Sequence, residues 1–191
     1  MSTHHQLIMP IYVAFLRAIN VGGKNVIKMS ELKECLETVH LKHIQTFLQS
    51  GNIIFESEFT DTEKLQALIQ HAIEFVFSLS VPVIVRTHEE MENVLATKPF
   101  DNFIEAPKSK NFIIYLQNAP TEMALATFKP VDGKGDEFKI EGKNIFIYCQ
   151  NPYNESKLQN GFFEKKLLCF ATTRNFNTST EILNIMRRRL T

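Results

Sequence analysis

The chain has 191 residues, enough for one large domain or two small ones. A chain of this size buries roughly 70% of its unfolded surface and needs no covalent staple. Hydrophobic residues make up 44% and charged ones 22%, and the sixteen Phe exclude a largely disordered chain. Lys and Arg number 21, Asp and Glu 21, so the net charge is zero. That excludes binding to nucleic acid or anionic membrane through bulk charge, although a local patch survives a neutral total.

Cys35, Cys149 and Cys169 are odd in number and widely spaced, with no CxxC. The pattern predicts neither a disulfide framework nor a four-cysteine zinc site, and it fits a reducing cytoplasm. Each lies in an apolar segment, where a thiol behaves as a small hydrophobe. Residues 1–9 are expected to form a flexible N-terminus. Leu7 to Leu16 is mostly apolar, but Pro10 interrupts it and no basic segment precedes it, so it reads as a strand, not a signal peptide. No apolar run reaches the ~18 residues of a membrane span, and no membrane partner is expected.

Ile11 to Ile19 is apolar on both faces apart from Arg17 and predicts a central strand. On it, Arg17 shares a face with Val13, Phe15 and Ile19, with an ion pair near the strand end as the plain explanation. After the loop Asn20-Val-Gly-Gly-Lys-Asn25, Ser30 is expected to cap a helix that buries Leu32, Cys35, Leu36 and Val39. Ile44 to Leu48 and Ile53 to Phe55 read as strands joined by Gln49-Ser-Gly-Asn52. Thr60 and Glu63 have capping-box spacing ahead of an apolar helical stripe from Leu65 to Val76. Val81 to Val85 closes a βαββαβ unit, the ferredoxin-like arrangement of an antiparallel four-stranded sheet with two helices on one face.

A helix capped by Thr87 with Glu90 is predicted over 88–97, then a loop to about Lys110. A second unit follows: strand 112–117, helix 121–128, a hairpin of 136–140 with 144–149, a helix capped by Asn160, and a short strand 171–173. A last helix is placed from Thr178, with Glu181 completing its box, to about Leu190. The fold class is therefore α+β, with two ferredoxin-like repeats, a helical linker and an extra C-terminal helix. The divisions are 10–87, 88–110 and 111–191, and no residue-level self-similarity between the repeats is evident.

Four segments spend polar residues in ways that packing does not require: Arg17 with Asn20 to Asn25, Gln49 to Asn52, Asn154 to Lys157, and Thr172 to Thr178. A strand followed by a glycine-bearing loop and a helix is the layout that receives anions, although neither GxxxxGK[ST] nor GxGxxG is present. Each segment also has a plain explanation as a turn, a hairpin or a helix entry. His40 and His43 have no third partner, so no metal site and no cofactor are read. No nucleophile elbow or other catalytic constellation is present, and no catalytic residue is assigned. From Ser156 to Thr191 there are seven Lys and Arg against two Glu, either a solvated basic face or a patch for phosphate or RNA.

The segments Tyr12-Val-Ala-Phe-Leu-Arg-Ala-Ile-Asn-Val-Gly-Gly-Lys-Asn25, Gln49-Ser-Gly-Asn52, Ser156-Lys-Leu158 and Thr172-Thr-Arg-Asn-Phe-Asn-Thr178 resemble the bacterial domain-of-unknown-function family DUF1697, from about residue 10 to 190. The resemblance implies a cytosolic protein of two ferredoxin-like repeats and no established activity. Its motif residues fall on Arg17, Asn20, Gly22, Gly23, Lys24, Asn25, Gln49, Ser50, Gly51, Asn52, Ser156, Lys157, Arg174, Asn175 and Asn177. Ala18 stands where the family has Gly and Phe176 where it has Trp, and Gln150 to Glu155 lacks the family's glycines.

All four segments end strands or start helices, which is how they would converge in a cleft between the repeats. The leading expectation is binding of a small anionic or phosphorylated ligand, a nucleotide among them, in that cleft. Arg17, Lys24, Lys157 and Arg174 would supply charge, and Asn20, Asn25, Asn175 and Asn177 orienting hydrogen bonds, with Gly22, Gly23, Gln49, Ser50, Asn52 and Ser156 completing the site. The rivals are an RNA- or DNA-binding module using the basic C-terminal third, an enzyme acting on a phosphorylated substrate, and a homodimer whose motif residues merely hold the two repeats together. Oligomeric state stays open.

Overall fold

The computed structural model describes residues 9–100, 103, 107, 110–126, 128, 133 and 135–190. The expected flexible N-terminus falls, except for residue 9, outside the described residues, as do parts of the 88–110 linker and residue 127 of the helix placed over 121–128.

The first half runs β1 (Ile11–Leu16), α1 (Met29–Glu37), β2 (Lys42–Phe47), β3 (Asn52–Glu56), α2 (Thr62–Phe77), β4 (Val83–Thr87) and α3 (His88–Ala96). The second runs β5 (Asn111–Leu116), α4 (Glu122–Ala126), β6 (Glu137–Glu141), β7 (Asn144–Tyr148), a 3-10 turn (Tyr153–Glu155), α5 (Asn160–Leu167), β8 (Ala171–Asn175) and α6 (Phe176–Arg187). Each half forms a four-stranded antiparallel sheet, in the order β2-β3-β1-β4 and β6-β7-β5-β8.

β1 is central and buried on both faces, as its unbroken apolar run requires. Its alternation separates two cores. Tyr12, Ala14 and Leu16 point outward under α1 and α2, whereas Ile11, Val13 and Phe15 point inward. β5 does the same: Ile114 and Leu116 lie under α4 and α5, while Ile113 and Tyr115 face inward. The two inner faces share one core, roofed by α3 and α6 through Met91, Val94, Ile182 and Met186. At its centre the rings of Phe15 and Tyr115 stack with centroids 4.3 Å apart.

Several sequence expectations need correction. β1 stops at Leu16, because Ala18 takes a left-handed φ of 54° and turns the chain. Arg17 therefore leaves the Val13–Phe15 face, and Ile19 packs into the opposite, outer core. Helix caps are displaced by one to three residues. Lys28 rather than Ser30 precedes α1 and makes no side-chain cap, and Asp61 rather than Thr60 caps α2 by accepting from the Glu63 and Lys64 amides. Gln159, not Asn160, precedes α5, and Asn175, not Thr178, caps α6. In the last two cases β8 decides the boundary. Asn160 Oδ1 accepts from Thr173 Oγ1 of β8, and β8 itself runs two residues past the expected 171–173. The Thr87–Glu90 capping box of α3 forms as read from sequence.

The repeats do share residues position by position, contrary to the sequence reading. Across the ladders Phe15 pairs with Asn52 and Val13 with Arg86, while Tyr115 pairs with Asn144 and Ile113 with Arg174. Arg86 and Arg174 each stand just ahead of the residue that caps the next helix. Only strand register aligns them, because the loops between have different lengths.

Candidate functional site

Arg174 is the centre of the motif network. Its guanidinium crosses from β8 to the end of β1 and to the β2–β3 hairpin. Nε donates to Asn52 Oδ1 at 2.5 Å. Nη1 donates to Thr172 Oγ1 and the Thr173 carbonyl, both at 2.8 Å. Nη2 donates to the Leu16 and Ser50 carbonyls, both at 3.0 Å, and to that of Gly51 at 3.3 Å. The cation also lies 5.3 Å from the centre of the Phe15 ring, within cation–π range. Among the described residues no carboxylate bonds to it. Burial pushes its pKa down to about 10, so it remains a cation at neutral pH, held by neutral acceptors among the described residues.

Asn52 is fully buried and is itself fixed, donating from Nδ2 to the Phe47 carbonyl at 2.7 Å and to Ser50 Oγ at 3.2 Å. Gly51 has φ +75°, and a Cβ there would stand 2.7 Å from Ile19 Cδ1 and 2.8 Å from Leu16 Cβ. Only glycine fits that approach.

The neighbouring motif residues extend the network. Asn20 Nδ2 donates to the Ile27 and Gln49 carbonyls, and its Oδ1 accepts from the Ile27 amide, tying the 20–27 loop to the hairpin. Asn25 Nδ2 donates to the Ala18 carbonyl at 3.1 Å. Arg17 makes a bidentate pair with Glu164 of α5, at 2.5 and 2.6 Å, bridging the two halves. Gly22 and Gly23, at φ 59° and 72°, form an exposed tight turn closed by Lys24 N–H donating to the Val21 carbonyl. The side chains of Lys24 and Gln49 face solvent.

Convergence of the four segments is therefore incomplete. The second meets the fourth at Arg174, and the first joins the second through Asn20 and Gln49. Asn175 caps α6, its Oδ1 accepting from the Asn177 amide, and the Asn177 side chain is exposed. Ser156 and Lys157 lie elsewhere: Ser156 Oγ donates to Asp136 Oδ2 at 2.6 Å and accepts from the Leu158 amide. That loop borders a separate polar cleft of about 210 Å³ with Asp136, Asn151 and Glu155. The basic C-terminal third is partly neutralised, since Arg187 pairs with Glu92 and Arg189 with Gln45 and Glu56.

Sequence reasoning missed Arg86 and Asn144, the register equivalents of Arg174 and Asn52. Arg86 is 1% exposed and donates to the Val85, Leu116 and Lys143 carbonyls at 2.9, 2.6 and 2.9 Å. It lies 5.8 Å from the centre of the Tyr115 ring. Burial lowers its pKa, opposed by Glu90 and by Tyr115. The first copy's Nε–Asn bond is not repeated: Arg86 Nε and Asn144 Oδ1 are both buried without a partner among the described residues. These two residues line a cleft of about 270 Å³ between the halves, with Glu90 and Asn93 from α3 and Glu141 and Lys143 from the β6–β7 hairpin. The repeated Asn-Ile-Ile and Asn-Ile-Phe, and an Arg just before each helix cap, are the signals that could have revealed the pair.

The three cysteines are free, and burial raises the pKa of each, Cys149 to about 11. None has the depressed pKa of a nucleophilic thiol. Among the described residues no group of three or more His, Cys, Asp or Glu side chains could hold a metal ion, and no helix is long and apolar enough to cross a membrane.

The geometry defines a mixed α+β protein of two repeated units clasped together by reciprocal buried arginines. The chain belongs to the DUF1697 family of proteins of unknown function, whose model matches residues 9–146. Ser156, Lys157, Arg174, Asn175 and Asn177 lie beyond the matched segment. Its fold is similar to that of a conserved bacterial protein from Streptococcus pneumoniae, with a TM-score of 0.74 and 20% identity over 94% of this chain and 99% of that one. No curated protein matches the sequence.

Proposed function

We propose that the protein binds a small anionic ligand in the cleft between its two repeats. The observation that carries the reading is a pair of buried cations at their junction that are hydrogen-bonded to neutral groups. Two buried guanidinium groups, Arg86 and Arg174, cross it with no carboxylate among the described residues hydrogen-bonded to either, in a chain whose net charge is zero. A cation held only by neutral dipoles attracts an anion more strongly than one already in an ion pair. Within this reading Arg17, Asn20, Asn25, Ser50, Asn52 and Arg174 are the clasp that fixes the cleft, and the ligand is drawn by the field they sustain.

The strand orders β2-β3-β1-β4 and β6-β7-β5-β8, each carrying helices on its outer face, support assigning both repeats to the ferredoxin-like arrangement. Three free thiols support a reducing, cytoplasmic setting.

The test is a thermal-shift titration with carboxylates, phosphates and nucleotides at two salt concentrations. A ligand at a hundred times its Kd adds about 2.7 kcal/mol, which at this chain length raises Tm by roughly 5–10 °C. A saturable rise weakened by salt is expected. A flat response across the panel overturns the reading and favours a purely structural role for the motif.

A further inference from the structure

We infer that an open groove between α4 and α5, away from the cleft between the repeats, binds a medium-chain fatty acid. Its alkyl chain lies along the apolar wall and its carboxylate meets Lys166. The groove holds about 470 Å³, within the range of small-molecule sites. Met123, Ala124, Leu167 and Leu168 line it, and Lys166 is the only charged side chain on its wall among the described residues. An adjoining cleft of about 300 Å³ shares Leu168 and Cys169 with it and adds Phe170. That shared wall continues the apolar track and suits an extended chain over a compact ring.

More apolar surface meets water here than the fold requires. Met123 is 76% exposed and Leu168 86%, with Phe170 half exposed. Leu168 also holds a left-handed φ of 54° at the end of α5, a place that favours glycine. The first half closes α2 with the same turn, but there the residue at φ 54° is the polar Ser78. A leucine in this position is disfavoured twice, by its backbone and by its exposure. A bound chain covering Leu168 removes the second cost.

Charge selects the head group. Glu164 of α5 is committed to Arg17 from the first half and to the Ala171 amide. Lys165 and Lys166 make no ion pair among the described residues, and Glu122 of α4 does not line the groove. An apolar wall ending in an unpaired ammonium complements an alkyl chain with one negative charge and repels a cationic amphiphile.

Calorimetric titration of the full chain with octanoate, decanoate and dodecanoate, each below its micelle concentration, tests the site. Acetate supplies the head group alone, and dodecyltrimethylammonium the chain with the opposite charge. Affinity is expected to rise by roughly fourfold or more for each added pair of methylenes. Lys166→Gln should weaken dodecanoate by about twofold to fivefold, the size of one exposed ion pair, and the cationic amphiphile should bind weaker than dodecanoate by about fivefold or more. Leu168→Gly should weaken dodecanoate by roughly tenfold without unfolding the chain, because φ 54° suits glycine. Phe75→Ala, at an exposed phenylalanine of α2, should leave binding unchanged. Equal binding of the two amphiphile charges, or binding of dodecanoate that survives Leu168→Gly, overturns the inference. A response to acetate equal to that of dodecanoate also overturns it, and leaves the cleft between the repeats standing as an anion site. Concentration-dependent dimerisation lost in Leu168→Gly overturns it too, by making this face an interface between copies of the chain.

Discussion

Substituting Asn52 and Asn144 separately by Ala tests the clasp, because the two positions are register equivalents with opposite bonding. Asn52 accepts from the buried Arg174 Nε at 2.5 Å and donates to the Phe47 carbonyl at 2.7 Å. A hydrogen bond to a charged group contributes about 1.5–3 kcal/mol and a neutral one about 1 kcal/mol. Truncation also leaves the Nε of a cation unpaired in the interior, so Asn52→Ala is expected to cost about 3–4 kcal/mol, a large share of a typical 5–15 kcal/mol stability. At this size that lowers Tm by roughly 6–15 °C. Asn144 makes no side-chain bond among the described residues, so Asn144→Ala is expected to stay within about 0.5 kcal/mol of the parent. Urea unfolding with matched thermal melts reads both. Equal losses at the two positions, or a loss below about 1 kcal/mol at Asn52, would refute the assignment of Arg174 as a cation held by Asn52.

Gly51→Ala should destabilise by roughly 3 kcal/mol, from positive φ plus overpacking against Ile19 and Leu16. Gly23→Ala, with nothing within 4 Å, should cost only about 1 kcal/mol, and Ala18→Gly should stabilise by about as much; melts of the three variants check the order. Glu164→Gln removes the charge partner of half-buried Arg17 and should cost about 1–2 kcal/mol, with Arg17→Lys failing to substitute because lysine cannot make the two-pronged contact. Alkaline stability should depend on Cys149. Burial raises its folded pKa to about 11, above the ordinary thiol value of 9.0, so the folded state holds the proton longer, and its contribution is full below pH 9 and lost as pH rises through 11. Comparing unfolding of the parent and Cys149→Ala from pH 8 to 11 tests this; a parent no more pH-sensitive than the variant would contradict it.

Local pattern alone was enough to find nearly every element. The two-sided apolar run of Ile11 to Leu16 dictates a central strand, and Thr87 with Glu90 dictates the start of α3, because both signals act within a few residues. Arg17 was also legible as an oddity at a strand end, although its partner Glu164 lies far along the chain. Caps were less legible where tertiary contacts outbid them. Thr178 could have opened the last helix, but β8 runs on to Asn175, whose side chain reaches the Asn177 amide first.

The sequence by itself determined the two α+β units, the polarity of the motif loops and the absence of catalytic motifs. It could not decide what those loops do. Asn20, Asn52 and Arg174 look like a ligand's hydrogen-bonding partners until the fold brings Leu16, Ser50 and Gly51 carbonyls to within 3.3 Å of a single guanidinium. Arg86 and Asn144 drew no attention because their equivalence to Arg174 and Asn52 exists only in strand register. The same Arg–Asn pair is bonded in one half and not in the other. That is a distance between side chains on different strands, and tertiary structure alone sets it.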